Sequence, residues 1–158
     1  NFMIDIDPDL YTCADEEKIG QVLYNLISNA VNYTGEDKKV FVSLKHDEAS
    51  GRIKFKVRDT GKGISKEDLP AIWNRYYRVK ENHARPVKGT GLGLSIVKTI
   101  LEKHSFDFGA DSELGKGSEF WVDFPEVPPE LPEEAANEDK QTAAEVKDGK
   151  DIRDRKKK

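Results

Sequence analysis

Between residues 19 and 31, apolar side chains recur at the three- and four-residue spacing of an amphipathic helix. The stripe consists of Ile19, Val22, Leu23, Leu26, Ile27, Ala30 and Val31. Three acidic residues, Asp15-Glu16-Glu17, precede it, and acidic groups favour the positive N-terminal end of a helix. The sequence therefore predicts a helix that runs to about Tyr33 and is ended by Gly35.

Alternating apolar residues, the period of a β-strand, occur on both sides of this helix. They predict short strands at residues 2–6, 39–46, 52–58, 106–111 and 118–124. Residues 47–51 join the second and third of these strands as an antiparallel hairpin. A second amphipathic helix is predicted at residues 92–103, and residues 65–68 have the pattern of a capping box that opens a short helix.

Composition separates a domain from a tail. Residues 125–158 contain 10 acidic and 8 basic side chains and no aromatic residue, which predicts a disordered charged tail. A solvated tail is favoured over one whose basic end contacts an acidic partner. Residues 1–124 are expected to form one domain. The net charge of −4 excludes a generally cationic nucleic-acid binder.

Membrane and disulfide signals are weak in this sequence. No apolar run approaches the roughly 20 residues of a membrane span, and no signal peptide is visible. The single Cys13 cannot form an internal disulfide or a cysteine-rich metal site. A cytosolic, reduced setting is the simplest expectation.

Two asparagines, Asn25 and Asn29, share a face of the first helix because they lie four residues apart. Asn is a poor helix-interior residue, since its amide competes for backbone hydrogen bonds. Amide oxygens are also ligands that suit Mg²⁺. The pair therefore predicts a polar pocket floor, with two solvent-facing amides as an equally weighted alternative.

Two glycine-containing turns follow. The first, Asp59-Thr60-Gly61-Lys62-Gly63, comes after a predicted strand. Its glycines would let the backbone approach a ligand, and a buried Asp there could accept an amino hydrogen. An ordinary Asx turn is the alternative. Gly89-Thr90-Gly91-Leu92-Gly93-Leu94 precedes the second helix, an arrangement that favours anion binding, with a flexible hinge as the alternative.

The segment between these turns, residues 74–91, is polar and lacks periodicity, which predicts a long loop, and loops of this length are usually functional or disordered. Its basic residues could close over phosphates or form a solvated surface. They are Arg75, Arg78, Lys80, Arg85 and Lys88.

The ordered set of motifs resembles the catalytic, ATP-binding domain of sensor histidine kinases, which belongs to the GHKL superfamily with its Bergerat fold. Residues 25–34 resemble the family's N box, and residues 59–64 its first glycine box. Residues 73–78 resemble the aromatic F box, residues 89–94 the second glycine box, and residues 115–118 a third. The resemblance covers residues 1–124 and implies a two-layer α/β sandwich, with a mixed sheet of about five strands covered by three helices.

The resemblance also implies a role for each site residue. Asn29 is the expected Mg²⁺ ligand and, with Asn25, a catalytic residue. Asp59 is expected to accept the adenine 6-amino hydrogen while Tyr33 packs on the base. Gly61 and Gly63 are expected to shape the purine pocket. Gly89, Gly91 and Gly93 are expected to close the phosphate side, and Arg78 to contact phosphate or another domain. The other implied nucleotide-binding residues are Asn32, Ile64, Tyr77, Lys88, Thr90, Leu92, Leu94 and Ser118.

The sequence departs from the family pattern at three points. Asn32 replaces a common Lys that reaches toward the phosphates, which is expected to weaken ATP binding unless Arg78, Arg85 or Lys88 compensates. Ser105-Phe106 replaces a pair of glycines after the second helix, so a different turn is expected there. Trp73 opens the F box in place of Phe. Asn25 fits the N box of this family and instead distinguishes the sequence from the superfamily's ATPases, which carry there a Glu that activates water; an amide is no general base.

The function implied is therefore phosphoryl transfer and not hydrolysis. The domain is expected to bind Mg²⁺-ATP and donate the γ-phosphate to a histidine on a separate dimerisation domain, through which a response regulator is reached. None of the three histidines lies in the expected phosphoacceptor setting. The full-length protein is expected to be a homodimer anchored in the inner or plasma membrane, with this domain in the cytoplasm and without membrane contact of its own.

Two alternatives remain beside this one. Asn32 favours a degenerate nucleotide-sensing or docking module without kinase activity. A Ser/Thr kinase of the anti-sigma type is disfavoured, because such relatives generally keep the Glu that Asn25 replaces.

Overall fold

The computed structural model describes residues 1–79 and 90–128. Five strands and two α-helices follow one another along the chain: β1 (Phe2–Ile6), α1 (Glu16–Tyr33), β2 (Val40–Asp47), β3 (Arg52–Asp59), α2 (Gly93–Lys103), β4 (Asp107–Glu113) and β5 (Gly117–Pro125). The strands form one sheet in the order β1-β2-β3-β5-β4. β1 pairs with β2 in parallel, and all other pairs are antiparallel. The predicted α/β fold with a mixed sheet is confirmed.

Helix α1 begins where the acidic residues predict. Asp15 is the N-cap, and its side chain accepts a hydrogen bond of 3.0 Å from the Lys18 backbone N–H. Glu16 and Glu17 occupy the first turn, where carboxylates offset the positive end of the helix dipole. At the other end the Thr34 N–H donates to the Ala30 carbonyl at 2.9 Å.

The core lies between the two helices and one face of the sheet. The apolar residues of β3 and β5 alternate with polar ones, so one face of each strand is buried. The fully buried side chains are Val22, Leu26, Val57, Val97, Leu101 and Val122. Each such side chain stabilises the fold by about 1.5–3 kcal/mol. The opposite face carries cross-strand ion pairs such as Lys56–Glu119 at 2.8 Å, and no helix of the described ranges packs on it.

The short helix predicted to begin at Ser65 is a series of turns, so the described residues contain two α-helices and not three. The capping contact itself is present, because the Asp68 N–H donates to Ser65 Oγ at 3.1 Å. Pro70 follows within the first turns of the predicted helix. Proline has no N–H to give to the carbonyl four residues earlier and its ring clashes with that carbonyl, so the helix cannot continue.

The turn after α2 is formed without glycine. Ser105 adopts a left-handed backbone conformation with φ of 56°, which non-glycine residues adopt uncommonly. The Phe106 N–H then donates to the Leu101 carbonyl at 3.0 Å. Phe106 is buried and packs edge-on against Phe124, so a core side chain lies where the family resemblance places a second glycine.

The chain divides into a compact unit at Asn1–Glu126 and a second unit at Val127–Lys158. Only residues 127 and 128 of the second unit are described, so the prediction of a disordered tail falls outside the described residues. The same holds for the predicted roles of Lys80, Arg85, Lys88 and Gly89. No helix in the described ranges is long and apolar enough to cross a membrane.

Candidate functional site

A carboxylate is buried at the end of strand β3. Asp59 is 3% exposed, and its Oδ1 accepts a hydrogen bond of 2.7 Å from the Gly61 backbone N–H. Burial raises the pKa of Asp59, although hydrogen bonds from the backbone of Gly61, Ser118 and Asp59 itself oppose this shift. A carboxylate withdrawn from water gains most from an additional N–H donor. The end of β3 can therefore recognise an amino group.

Gly61 brings this turn against the C-terminal end of α1. A Cβ atom at Gly61 would lie 1.9 Å from the Tyr33 carbonyl oxygen and 2.8 Å from Asp59 Oδ1. The backbone of the first glycine box therefore passes directly beneath the last residue of the helix. The Tyr33 side chain is 44% exposed, so its ring is accessible at the same end of α1.

Hydroxyl groups hold the residue next to Asp59 in place. Thr34 Oγ1 donates to the Lys39 carbonyl at 2.8 Å and lies 3.1 Å from Thr60 Oγ1. The Thr60 hydroxyl donates to Asp37, and this bond lowers the pKa of Asp37. Sequence reasoning assigned no role to these threonines, although both stand inside the motifs it quoted.

The two asparagines of α1 are half-buried. Asn25 Nδ2 donates to the Gln21 carbonyl at 2.8 Å. Its Oδ1 faces the start of α2, because a Cβ at Gly93 would lie 3.1 Å from that oxygen. Asn29 lies one turn further along the same face of α1. The N box and the second glycine box thus meet at the N-terminal end of α2, where the helix dipole is positive.

Asn32 lies elsewhere on α1. It is exposed, and its Nδ2 donates to Ser28 Oγ at 3.4 Å. It lines a groove beside the C-terminal end of the helix that does not include Asp59, Asn25 or Asn29. The groove is lined by Asn1, Phe2, Val31, Asn32, Thr34, Gly35, Glu36, Lys38 and Val40.

Ser112 connects the first glycine box to the last strand pair. Its Oγ accepts a hydrogen bond of 2.8 Å from the Ile64 N–H and lies 3.0 Å from Ser118 Oγ. Ser118 is buried. The register of β4 and β5 pairs Ser112 with Ser118. No sequence signal pointed to Ser112, because its contacts depend on strand pairing.

The remaining predicted residues lie around the start of α2 and before it. Leu92 is the N-cap of α2 and Leu94 its second residue, and both are half-buried. Thr90 and Arg78 are exposed, while Tyr77 is half-buried. Within residues 1–79 and 90–128, no group of three or more His, Cys, Asp or Glu side chains could hold a metal ion.

Comparison with known proteins identifies the family. The model of the histidine kinase-, DNA gyrase B- and HSP90-like ATPases matches residues 14–128, and the chain belongs to this family. It is 43% identical to the sensor histidine kinase WalK of Bacillus subtilis (strain 168) over 112 residues, which cover 71% of this chain and 18% of that kinase. The chain spans about a fifth of the length of the curated relatives it matches.

Solved structures show the same fold. The catalytic domain of histidine kinase ThkA superposes with a TM-score of 0.65 at 29% identity, covering 79% of this chain and 78% of that one. Full-length ShkA, crystallised in complex with AMPPNP, superposes with a TM-score of 0.62 at 29% identity, covering 80% of this chain and 26% of that one. The domain is therefore of the type found in histidine kinase catalytic domains of the GHKL family.

Replacing Gly61 with Ala should lower the free energy of unfolding, while the same replacement at Gly20 should not. Gly61→Ala forces a methyl group against the Tyr33 carbonyl, and overpacking of this kind costs about 1–3 kcal/mol. Gly20→Ala is the matched control, because nothing lies within 4 Å of its Cβ position and Ala gains up to about 1 kcal/mol over Gly within a helix. Urea denaturation of both variants checks this, and a similar shift in both would contradict the contact.

The buried carboxylate should make stability depend on pH. Because the folded-state pKa of Asp59 is raised above 3.8, the folded state binds more protons between the two values, so the free energy of unfolding falls as pH rises through that interval. Asp59→Asn removes this titration. Its stability relative to the native protein should be higher at about pH 7 than at about pH 4, as measured by urea denaturation. A pH-independent difference would contradict the burial.

Proposed function

We propose that this domain binds Mg²⁺-ATP beside α1 and the start of α2, and donates the γ-phosphate to a histidine on a separate dimerisation domain. The observation that carries the proposal is the buried Asp59 at the end of β3, next to the exposed ring of Tyr33. An adenine 6-amino group supplies the N–H donor that this carboxylate gains from, and an aromatic ring offers a surface for the base.

The start of α2 supports the proposal that phosphates bind in this region. Gly91 and Gly93 expose backbone N–H groups there, and a helix N-terminus favours anions. Asn25 Oδ1 faces Gly93, so the two amides of α1 adjoin the same region. The oxygen of Asn29 suits Mg²⁺, which prefers oxygen ligands. Bound Mg²⁺ would neutralise charge on the phosphates, and the related ShkA was crystallised with AMPPNP.

Transfer is favoured over hydrolysis because of the residue that faces α2. Asn25 carries an amide, and an amide does not accept a proton as a general base near neutral pH. Water next to the γ-phosphate is therefore not activated by this residue. Phosphoryl transfer depends mainly on positioning and on neutralising charge, which leaves the better nucleophile, an imidazole of another domain, as the acceptor.

The partners follow from this chemistry and from the relatives. The chain matches sensor histidine kinases along only part of their length, so the acceptor histidine is assigned to a dimerisation domain of the same kinase. A response regulator would be reached through that domain. The intact protein is proposed to be a homodimer, with this domain in the cytoplasm and an anchor in the inner or plasma membrane.

Nucleotide binding should depend on Asp59 and on adenine. The native domain should gain about 2.7 kcal/mol of stability from Mg²⁺-ATP at 100 times its dissociation constant, and less from Mg²⁺-GTP, whose carbonyl faces the carboxylate.

Asp59→Asn should weaken ATP binding about 5- to 150-fold, since an unpaired buried group costs about 1–3 kcal/mol. Calorimetry measures this, with the exposed Asp9→Asn as control. Equal binding of GTP would refute the adenine contact.

A second function, nucleotide sensing without transfer, is favoured by Asn32, which removes a cation where the family commonly has Lys. Incubation with γ-labelled ATP and a purified dimerisation hairpin separates the two functions. We expect phosphohistidine on the hairpin, and its loss with Asn29→Ala because the metal ligand is removed. ATP binding without any phosphohistidine would select the sensing module and exclude the kinase.

A further inference from the structure

The hydroxyl of Tyr77 is already bonded within the protein. It donates a hydrogen bond of 2.5 Å to Asp68 Oδ1, while Asp68 Oδ2 accepts a hydrogen bond of 2.9 Å from Ser65 Oγ. Both carboxylate oxygens of Asp68 therefore have partners. Hydrogen bonds to an ionised group are among the stronger ones in proteins, so this pair fixes the position of Tyr77 relative to the turn that begins at Ser65.

That turn is anchored to the sheet. Ile72 is 6% exposed, and the Trp73 ring packs edge-on against Phe108 and Phe120, with centroid distances of 5.0 and 6.0 Å. Edge-to-face aromatic pairs at these distances are favourable. The bond from Tyr77 to Asp68 is therefore made to a part of the molecule that packs on the core, and not to a free surface loop.

A backbone hydrogen bond joins the residue before Tyr77 to the second glycine box. The Tyr76 N–H donates to the Gly91 carbonyl at 3.0 Å. Tyr76 has φ of 63°, a left-handed conformation that costs a non-glycine residue about 1–2 kcal/mol. Such a conformation persists only when its surroundings hold it. The contacts on either side of it include the Tyr77–Asp68 bond, the bond to Gly91 and a bond of 3.3 Å from the Tyr77 N–H to the Asn74 carbonyl.

Gly91 and Gly93 link residues 76 and 77 to the start of α2 through close backbone contacts. A Cβ at Gly91 would lie 3.1 Å from Tyr76 Cα and 3.3 Å from the Tyr77 carbonyl oxygen, and one at Gly93 would lie 3.1 Å from Asn25 Oδ1. The segment thus fits closely between the backbone of residues 76 and 77 on one side and α1 on the other. These close approaches connect the position of residues 76 and 77 to that of the N–H groups at the start of α2.

We propose that Tyr77 and Asp68 are positioning residues that set where the start of α2 presents its N–H groups to the phosphates of the nucleotide. This inference rests on the proposed function and adds to it. The Tyr77 hydroxyl acts through Asp68, Tyr76 and Gly91, and not through a contact with the nucleotide. The pair should therefore affect phosphate binding and leave recognition of adenine at Asp59 unchanged.

The protonation state of the pair is stable near neutral pH. The hydrogen bond from Tyr77, together with that from Ser65, lowers the pKa of Asp68. The same bond to Asp68 raises the pKa of Tyr77. The carboxylate therefore stays ionised and the phenol stays neutral across the range in which nucleotide binding is measured, and the contact does not switch with pH there.

The test compares Mg²⁺-ATP with adenosine, which has no phosphates. In Tyr77→Phe, the dissociation constant for Mg²⁺-ATP should rise roughly tenfold, because the charge-assisted bond to Asp68 that positions the start of α2 is lost. The constant for adenosine, measured by NMR titration, should stay within about twofold. A merely structural role would weaken both ligands alike. Tyr11→Phe, which alters another tyrosine that is 44% exposed, serves as the matched control and should change neither constant.

Two further measurements test the same contact, one without ligand and one by a double-mutant cycle. Amide hydrogen exchange at Tyr76 should accelerate about tenfold in Tyr77→Phe, because its bond to Gly91 opens more often. The double variant Tyr77→Phe/Asp68→Asn should lose no more ATP affinity than the more affected of the two single variants, since both substitutions break one contact.

The outcomes are distinguishable. Equal weakening of ATP and adenosine, unchanged ATP affinity, unchanged exchange at Tyr76, or additive losses in the double variant would each overturn the positioning role while leaving the proposed function intact. A native domain that binds neither ligand would overturn the proposed function and, with it, this inference.

Discussion

The backbone of Gly61 lies so close to the Tyr33 carbonyl that no side chain fits between them. This contact joins the end of β3 to the end of α1, and it places Asp59 beneath the helix that carries the asparagines. The helix is in turn held by Val22 and Leu26, which are buried in the core. The residues proposed to recognise the base and those proposed to contact the phosphates are thereby attached to α1 and the end of β3, and α2 lies opposite Asn25.

The regular elements of the fold were predictable from periodicity because each strand or helix buries one face. The one error, the short helix after Ser65, arose because the capping pattern was given more weight than Pro70, which removes an N–H from the helix interior. The order of the strands and the parallel pairing of β1 were not readable from the residues, since both depend on how the crossover through α1 packs on the sheet. The family resemblance supplied only that the sheet is mixed and has about five strands.

The candidate site was predictable to the extent that its residues stand in contiguous motifs. Asp59, Gly61 and Gly93 were identified because glycines and acidic groups next to element boundaries indicate backbone that approaches a ligand. Ser112 and the bond from Tyr77 to Asp68 were missed, because these contacts depend on residues brought near by β-pairing or by a folded turn. A side chain whose role is to hold a neighbour leaves no local pattern when that neighbour is distant along the chain or separated by a turn.

Strand β1 is short and lies at the edge of the sheet, and the side chains of Phe2, Ile4 and Ile6 are each more than half exposed. Its backbone occupies the N–H and C=O groups along one side of β2, from Val40 to Leu44. Without these residues the longer β2 would become the border of the sheet, and a long apolar border recruits strands from other molecules. Strand β1 thus reduces the open border on this side of the sheet from the eight residues of β2 to its own five.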